Sequence, residues 1–113
     1  MLARLNRFHG HGSVRRVYRL GRPTRTELFS LHALKGEKVR ASKAAIVVSR
    51  KVHKSAVKRN RIRRRIYEIV RLRLPKFAVP TEIVITVYRP DITDMPAKEL
   101  ETAVDELLKR ARL

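Results

Sequence analysis

Residues 58–74 read KRNRIRRRIYEIVRLRL, with isoleucines and arginines interleaved at helical spacing. At 100° per residue, Ile62, Ile66, Ile69 and Val70 fall within an arc of about 100°, which makes one core-facing stripe. Asn60, Arg64, Tyr67 and Arg71 fall on the opposite side. Arg61 and Arg65 project from one flank of the stripe, Arg59 and Arg63 from the other. Such a helix cannot be a free basic arm, because its stripe needs a partner. It cannot be buried all round either, because its arginines need water or an anion. It therefore has to lie on a core with its charged face outward, and Pro75 and Pro80 close it.

The remaining elements are read around that helix. Ser13 is placed to cap a short helix, VRRVYRL, with Val14, Val17 and Tyr18 at helical spacing; Gly21 stops it, with Pro23 close behind. Residues 27–34 read as a strand with Phe29, Leu31 and Ala33 on one face, followed by a turn around Gly36. The near-continuous apolar run 43–49 reads as a strand covered on both faces. Residues 81–88 place Ile83, Ile85 and Val87 on one face of another strand. Asp94 is expected to cap a last helix that accepts Pro96 in its first turn, with a stripe of Ala97, Leu100, Val104, Leu107, Leu108 and Ala111. The order α-β-β-α-β-α predicts an α+β sandwich, one domain over 1–113. Residues 1–12 are expected to fray, since Gly10 and Gly12 disfavour helix.

Charge points to the partner. The chain has 28 Lys+Arg against 10 Asp+Glu, a net of +18. Residues 1–76 carry +20 and residues 77–113 carry −2, and no acid lies between Lys38 and Tyr67. A surface this basic repels itself unless a polyanion lies against it, so nucleic acid leads and anionic membrane comes second. No apolar run approaches the roughly 18 residues of a membrane span. The absence of cysteine excludes disulfides and thiolate metal sites. With 5% aromatics and no Trp, a broad base-stacking platform is not expected. The start lacks the apolar segment of a secretory signal, so the expected compartment is the cytoplasm.

The densest feature is residues 50–65, RKVHKSAVKRNRIRRR, where 9 of 16 are Lys or Arg. Guanidinium forks on a rigid helix can follow a phosphate backbone with bidentate contacts, and Asn60 adds both a donor and an acceptor. No catalytic site in the protein suggests itself, because no His and acid are arranged with Ser49 and the carboxylates gather toward the C-terminal end. Asp91 and Asp94 read as capping residues rather than Mg²⁺ ligands. His9 and His11 read as incidental rather than as a metal site. His32 reads equally as a cleft contact or a packed strand residue, while Phe29 and Leu31 read as core.

The stretch SRKVHKSAVKRNRIRRRIYE strongly resembles the bacterial ribonuclease P protein family, whose hallmark is an Arg-Asn-Arg helix preceded by a Ser-(Lys/Arg)-Lys connector. Ser49-Arg50-Lys51 and Arg59-Asn60-Arg61 match that spacing, and the order of elements fits over residues 4–110. The resemblance implies a ribosomal-protein-like fold of about four strands and three helices. It also implies a left-handed β-α-β crossover, whereas the general rule gives the opposite hand. It further implies the small subunit of a ribonucleoprotein endoribonuclease that removes the 5′ leader of precursor tRNA. In that enzyme the RNA subunit is the catalyst, with Mg²⁺ bound mainly by RNA subunit and substrate and no organic cofactor.

The implied partners are the RNA subunit and precursor tRNA, with neither a membrane nor an obligate protein partner. The residues that match RNA-subunit contacts, or lie in the basic connector beside them, are Arg50, Lys51, Lys54, Lys58, Arg59, Asn60, Arg61, Arg63 and Arg64. The implied leader contacts are Val14, Tyr18, His32 and Ser49. Several positions depart from the family pattern: Val14 stands for a typical Phe, His32 for Tyr, His53-Lys54 for Gly-Asn, and Tyr67 for a basic residue. The leader cleft is therefore expected to stack bases less and to rely more on shape and charge. A structural ribosomal or other RNA-binding protein is the alternative reading.

Overall fold

The computed structural model describes residues 11–36 and 39–113. The expected fraying of residues 1–10, the readings of His9 and of the His11 side chain, and the Glu37–Lys38 part of the turn lie outside the described residues. The elements are α1 (His11–Leu20), β1 (Arg22–Arg25), β2 (Phe29–Leu34), β3 (Lys43–Val48), α2 (Ala56–Arg73), β4 (Glu82–Val87) and α3 (Ala97–Arg110). Short 3-10 turns at Leu74–Lys76 and Pro90–Thr93 follow α2 and β4. The sheet runs β1-β2-β4-β3, antiparallel except for the parallel pair β3 and β4, which α2 connects. The α+β reading with three helices holds.

One core fills the space between the sheet and α2 with α3. Phe29, Leu31, Ala44, Ile46, Ile83 and Ile85 meet Ile62, Ile66 and Val70 of α2 and Leu100, Val104 and Leu107 of α3. The α2 stripe is buried as its period requires, except that Ile69 stays half-exposed. On the opposite sheet face, α1 packs over β2 and β4, where Val17 and Val84 are fully buried. Since α1 does not extend over the edge strand, β3 alternates: Ala44, Ile46 and Val48 are buried while Ala45 and Val47 are half-exposed. The apolar run 43–49 is thus covered on one face, not two. That difference leaves an open floor beside α1.

Other expectations are corrected locally. β1 has no apolar alternation, since RPTR is a polar edge strand whose Pro23 sits opposite His32. Edge position makes a proline tolerable there, because one side of the strand has no ladder to complete. The first helix already includes His11, so Ser13 lies within its first turn instead of capping it. The N-cap of α3 is Pro96, and Asp94 instead closes the 3-10 turn, its N–H donating to the Asp91 carbonyl at 3.3 Å. Tyr67 does not face open solvent: it is half-buried, and its hydroxyl accepts the Ile46 N–H of edge strand β3 at 3.3 Å.

Gly21 ends α1 by close approach. Its N–H donates to the Val17 carbonyl at 2.8 Å, and a Cβ there would lie 2.4 Å from that oxygen and 3.1 Å from the Ala33 carbonyl oxygen. At the other end of the core, Arg73 joins α2 to α3 through Glu101 at 2.6 Å and Asp105 at 2.9 Å. Hydrogen bonds from Arg73 hold the Asp105 carboxyl below the usual carboxylate range.

Two outcomes are expected. Gly21→Ala meets backbone on two sides and should lower stability by about 1–3 kcal/mol in a thermal or urea melt. Asp105→Asn should lower the melting temperature modestly at neutral pH, because the pair is partly solvated. The folded carboxyl titrates below its free value of 3.8. The stabilisation is therefore full above that value and is lost as pH falls through the folded one, so variant and parent should converge in acid.

Candidate nucleic-acid interface

The connector between β3 and α2 is built, not slack. The Val52 and His53 amides donate to the Ser49 carbonyl at 3.1 and 3.4 Å, and the Ser55 N–H donates to His53 Nδ1 at 3.2 Å. Ser55 Oγ then caps α2 by accepting the Lys58 N–H at 3.3 Å. Arg59 donates to the carbonyls of both His53 and Lys54 at 2.9 Å, which fastens the connector to the first turns of the helix. Arg50, Lys51, Lys54 and Lys58 are all exposed along this path.

The arginines of α2 divide by what they touch. Asn60, Arg61 and Arg64 are exposed, and together with Val57 and Arg65 they line one shallow recess on the outer face. Arg63 is half-buried and donates to Asn60 Oδ1, so the asparagine acceptor is already engaged. Arg65, at the edge of that recess, has its guanidinium engaged, donating to the carbonyls of Ile92 at 2.5 Å, Thr93 at 3.1 Å and Met95. It thereby ties α2 to the loop between β4 and α3. Sequence spacing placed Arg61 and Arg65 on one flank; the loop that claims Arg65 lies 27–30 residues away and leaves no local signal.

A second surface forms where α1 crosses the sheet. In register, His32, Val84 and Ala45 make one rank across β2, β4 and β3, and Ser30, Thr86 and Val47 make the next. Arg16 pairs with the buried carboxylate of Glu82, seating α1 on β4. The Tyr18 hydroxyl lies 2.8 Å from Thr86 Oγ1, and its ring meets His32 edge-on at 4.9 Å. Tyr18 nonetheless keeps 38% of its surface exposed, beside the half-open β3 floor.

The structure thus brings Tyr18 and His32 together. Val14, one turn earlier on α1, is half-buried. Ser49 is exposed just beyond the end of β3. Thr86, which aligns the tyrosine, was missed, although the alternation that turns Ile83, Ile85 and Val87 inward also turns Val84 and Thr86 the other way. No cluster of three or more His, Asp or Glu side chains that could hold a metal ion occurs among the described residues. No described helix is long and apolar enough to cross a membrane.

With this geometry in view, the chain can be compared with known proteins. A family model described as Ribonuclease P matches residues 2–112. The ribonuclease P protein component of Chloroflexus aurantiacus is 35% identical over 111 residues, spanning 88% of this chain and 82% of that protein. The component from Symbiobacterium thermophilum is 37% identical over 97 residues, spanning 86% and 83%. The Staphylococcus aureus RNase P protein superposes with a TM-score of 0.81 at 23% identity, covering 94% of each chain. The Thermotoga maritima RNase P protein gives 0.72 at 24% identity, covering 83% and 86%. The two solved structures establish the shared fold.

The sorting of arginines has a direct test in stability. Arg65→Met should cost about 2–3 kcal/mol, because it removes a charged donor and strands the carbonyls it serves. Arg61→Met should stay within about 0.5 kcal/mol of the parent, as an exposed surface change. Chemical denaturation of the two variants checks the contrast.

Proposed function

Because the chain belongs to the bacterial ribonuclease P protein family, we propose that its two surfaces divide the RNA of the holoenzyme between them. The chain is the protein subunit of an endoribonuclease that processes the 5′ end of tRNA, and it associates with the ribonuclease P RNA. That membership disfavours the alternative of a structural ribosomal protein.

In the proposed division, the outer face of α2 meets the RNA subunit. Arg61, Arg64 and Asn60 supply the ridge, while Arg50, Lys51, Lys54 and Lys58 extend it along the connector. Arg63 acts through its hold on Asn60, and Arg59 acts by fixing the connector. The sheet face beside α1 holds the single-stranded leader of precursor tRNA. The observation that carries this assignment is Tyr18, fixed by Thr86 and His32 yet exposed over an open floor. An aromatic so held can stack on an unpaired base at little entropic cost.

Mg²⁺ would supply the hydrolytic chemistry and is assigned to the RNA subunit and substrate. The described residues assemble no carboxylate cage for it. The chain's part is electrostatic: its lysines and arginines offset phosphate repulsion as RNA subunit and substrate come together. The whole chain is read as a single RNA-binding domain that works in the cytoplasm.

Reconstitution with the RNA subunit tests the division. The protein alone should not cleave precursor tRNA. Arg61→Ala with Arg64→Ala should weaken assembly and, at limiting protein, lower cleavage of every substrate alike. Tyr18→Ala should leave assembly intact and lower the preference for precursor over mature tRNA by about 5-fold, the low end for one stacked base. A Tyr18→Ala protein that melts several degrees lower but discriminates normally would place the leader elsewhere.

A further inference from the structure

α3 stops beside the outer strand of the sheet, and its stop contains an unfavourable backbone conformation. The Leu113 N–H donates to the Leu108 carbonyl at 2.9 Å, and the Arg112 N–H donates to the Lys109 carbonyl at 3.0 Å. This pair of bonds forms a helix stop that usually places glycine where Arg112 stands, because φ there is positive. Arg112 has φ 61°, and no other described non-glycine residue has a positive φ. Glycine would close the same turn without the strain that a Cβ brings. The turn gains nothing from an arginine, so the use of this residue lies in its side chain.

That side chain lines a recess of about 290 Å³ between the end of α3 and β1, with Arg22 and Lys35 as the other cations. Leu20, Leu34 and Ala111 supply aliphatic walls, and no described acid lines the recess. All three cations are exposed, and none has an ion-pair partner among the described residues. Their neighbours in the helix layer differ: Arg73 holds Glu101 and Asp105, and Arg110 holds Glu106 at 2.9 Å. Three unpaired cations around one concavity repel one another until an anion enters.

The place of the recess says which anion. Arg22 stands opposite Ala33, whose side chain packs on the core, so Arg22 projects on the α2–α3 side of the sheet. Tyr18 and His32 meet on the other side, so a strand lying over them does not cross the recess. Ala33 is in register with Ile83 near the start of β4, whereas the connector follows Val48, in register with Val87 at its end. β1 and β3 are also opposite edges of the sheet. The recess and the connector thus lie at diagonal corners, roughly 20 Å apart from strand spacing and rise. One phosphate cannot serve both, so the recess needs an RNA segment of its own.

We propose that Arg22, Lys35 and Arg112 hold a phosphodiester of the ribonuclease P RNA, at a contact separate from α2. This deepens the reading in which the helix-layer side of the protein meets the RNA subunit. The guanidinium forks of Arg22 and Arg112 take the phosphate oxygens, Lys35 adds charge, and the aliphatic walls receive the adjoining ribose.

The test titrates the RNA subunit with full-length protein over a range of salt. Arg112→Gly should flatten the slope of log K against log salt by about one unit, and Arg22→Ala with Arg112→Gly by about two. For the single variant, the gap in affinity to the parent should narrow about 3- to 4-fold between about 50 and 200 mM salt. Arg112→Gly should also melt no lower than the parent, because it relieves the positive φ. Nuclease footprinting should show the double variant losing protection at an RNA segment different from the one lost by Arg61→Ala with Arg64→Ala. A parental slope in the folded double variant would overturn the proposal, as would an Arg112→Gly protein that both melts lower and binds more weakly. So would a loss seen only with precursor tRNA and growing with leader length, which would give the recess to the substrate. If Arg61→Ala with Arg64→Ala also keeps the parental slope, the RNA-subunit reading of α2 fails; if that pair alone flattens it, only this contact does.

Discussion

Burial of Ile62, Ile66 and Val70 on one side of α2 fixes the direction of every cation on its other sides. Each such side chain contributes about 1.5–3 kcal/mol on leaving water, so the three together match much of the net stability of a domain. That is enough to hold a helix whose arginines repel one another with no acid nearer than Glu68 along it. The sheet supplies the partner surface through Ile46, Ile83 and Ile85, and α3 closes the core from beyond with Leu100, Val104 and Leu107. The C-terminal part of the chain, which carries most of the acids, also supplies Glu101 and Asp105 to Arg73 at the far end of α2.

Much of this was legible because periodicity reports burial. The stripes of α2 and α3 and the inward faces of β2 and β4 follow from apolar spacing alone. β1 was not legible, since a four-residue edge strand of Arg, Pro and Thr carries no apolar alternation and owes its pairing entirely to β2. The one-sided cover of β3 was hidden for the converse reason. Ala45 and Val47 are apolar enough for a buried strand, and only the placement of α1 over β2 and β4 leaves them half-open.

The candidate site was legible in composition but not in the division of labour. Arg59, Arg61 and Arg65 are the same residue on the same helix, yet one braces the connector, one faces outward and one holds the loop after β4. Tyr67 satisfies an edge amide of β3 rather than facing solvent. Phase around the helix restricts each side chain to a sector. Which partner waits in that sector depends on chain folded back from elsewhere. The same holds for Tyr18, whose exposure and alignment depend on Thr86 and His32 from two different strands.

In the proposed division, Arg61 and Arg64 are the α2 arginines that engage phosphate, beside the connector cations, while Arg65 serves the loop after β4. The salt dependence of binding to the ribonuclease P RNA measures this most directly, because the slope of log K against log salt counts neutralised phosphates. Arg61→Met and Arg64→Met are each expected to flatten the slope by about one unit, whereas folded Arg65→Met should keep the parent's slope. An Arg65→Met protein that flattens the slope as much as Arg61→Met would contradict the account.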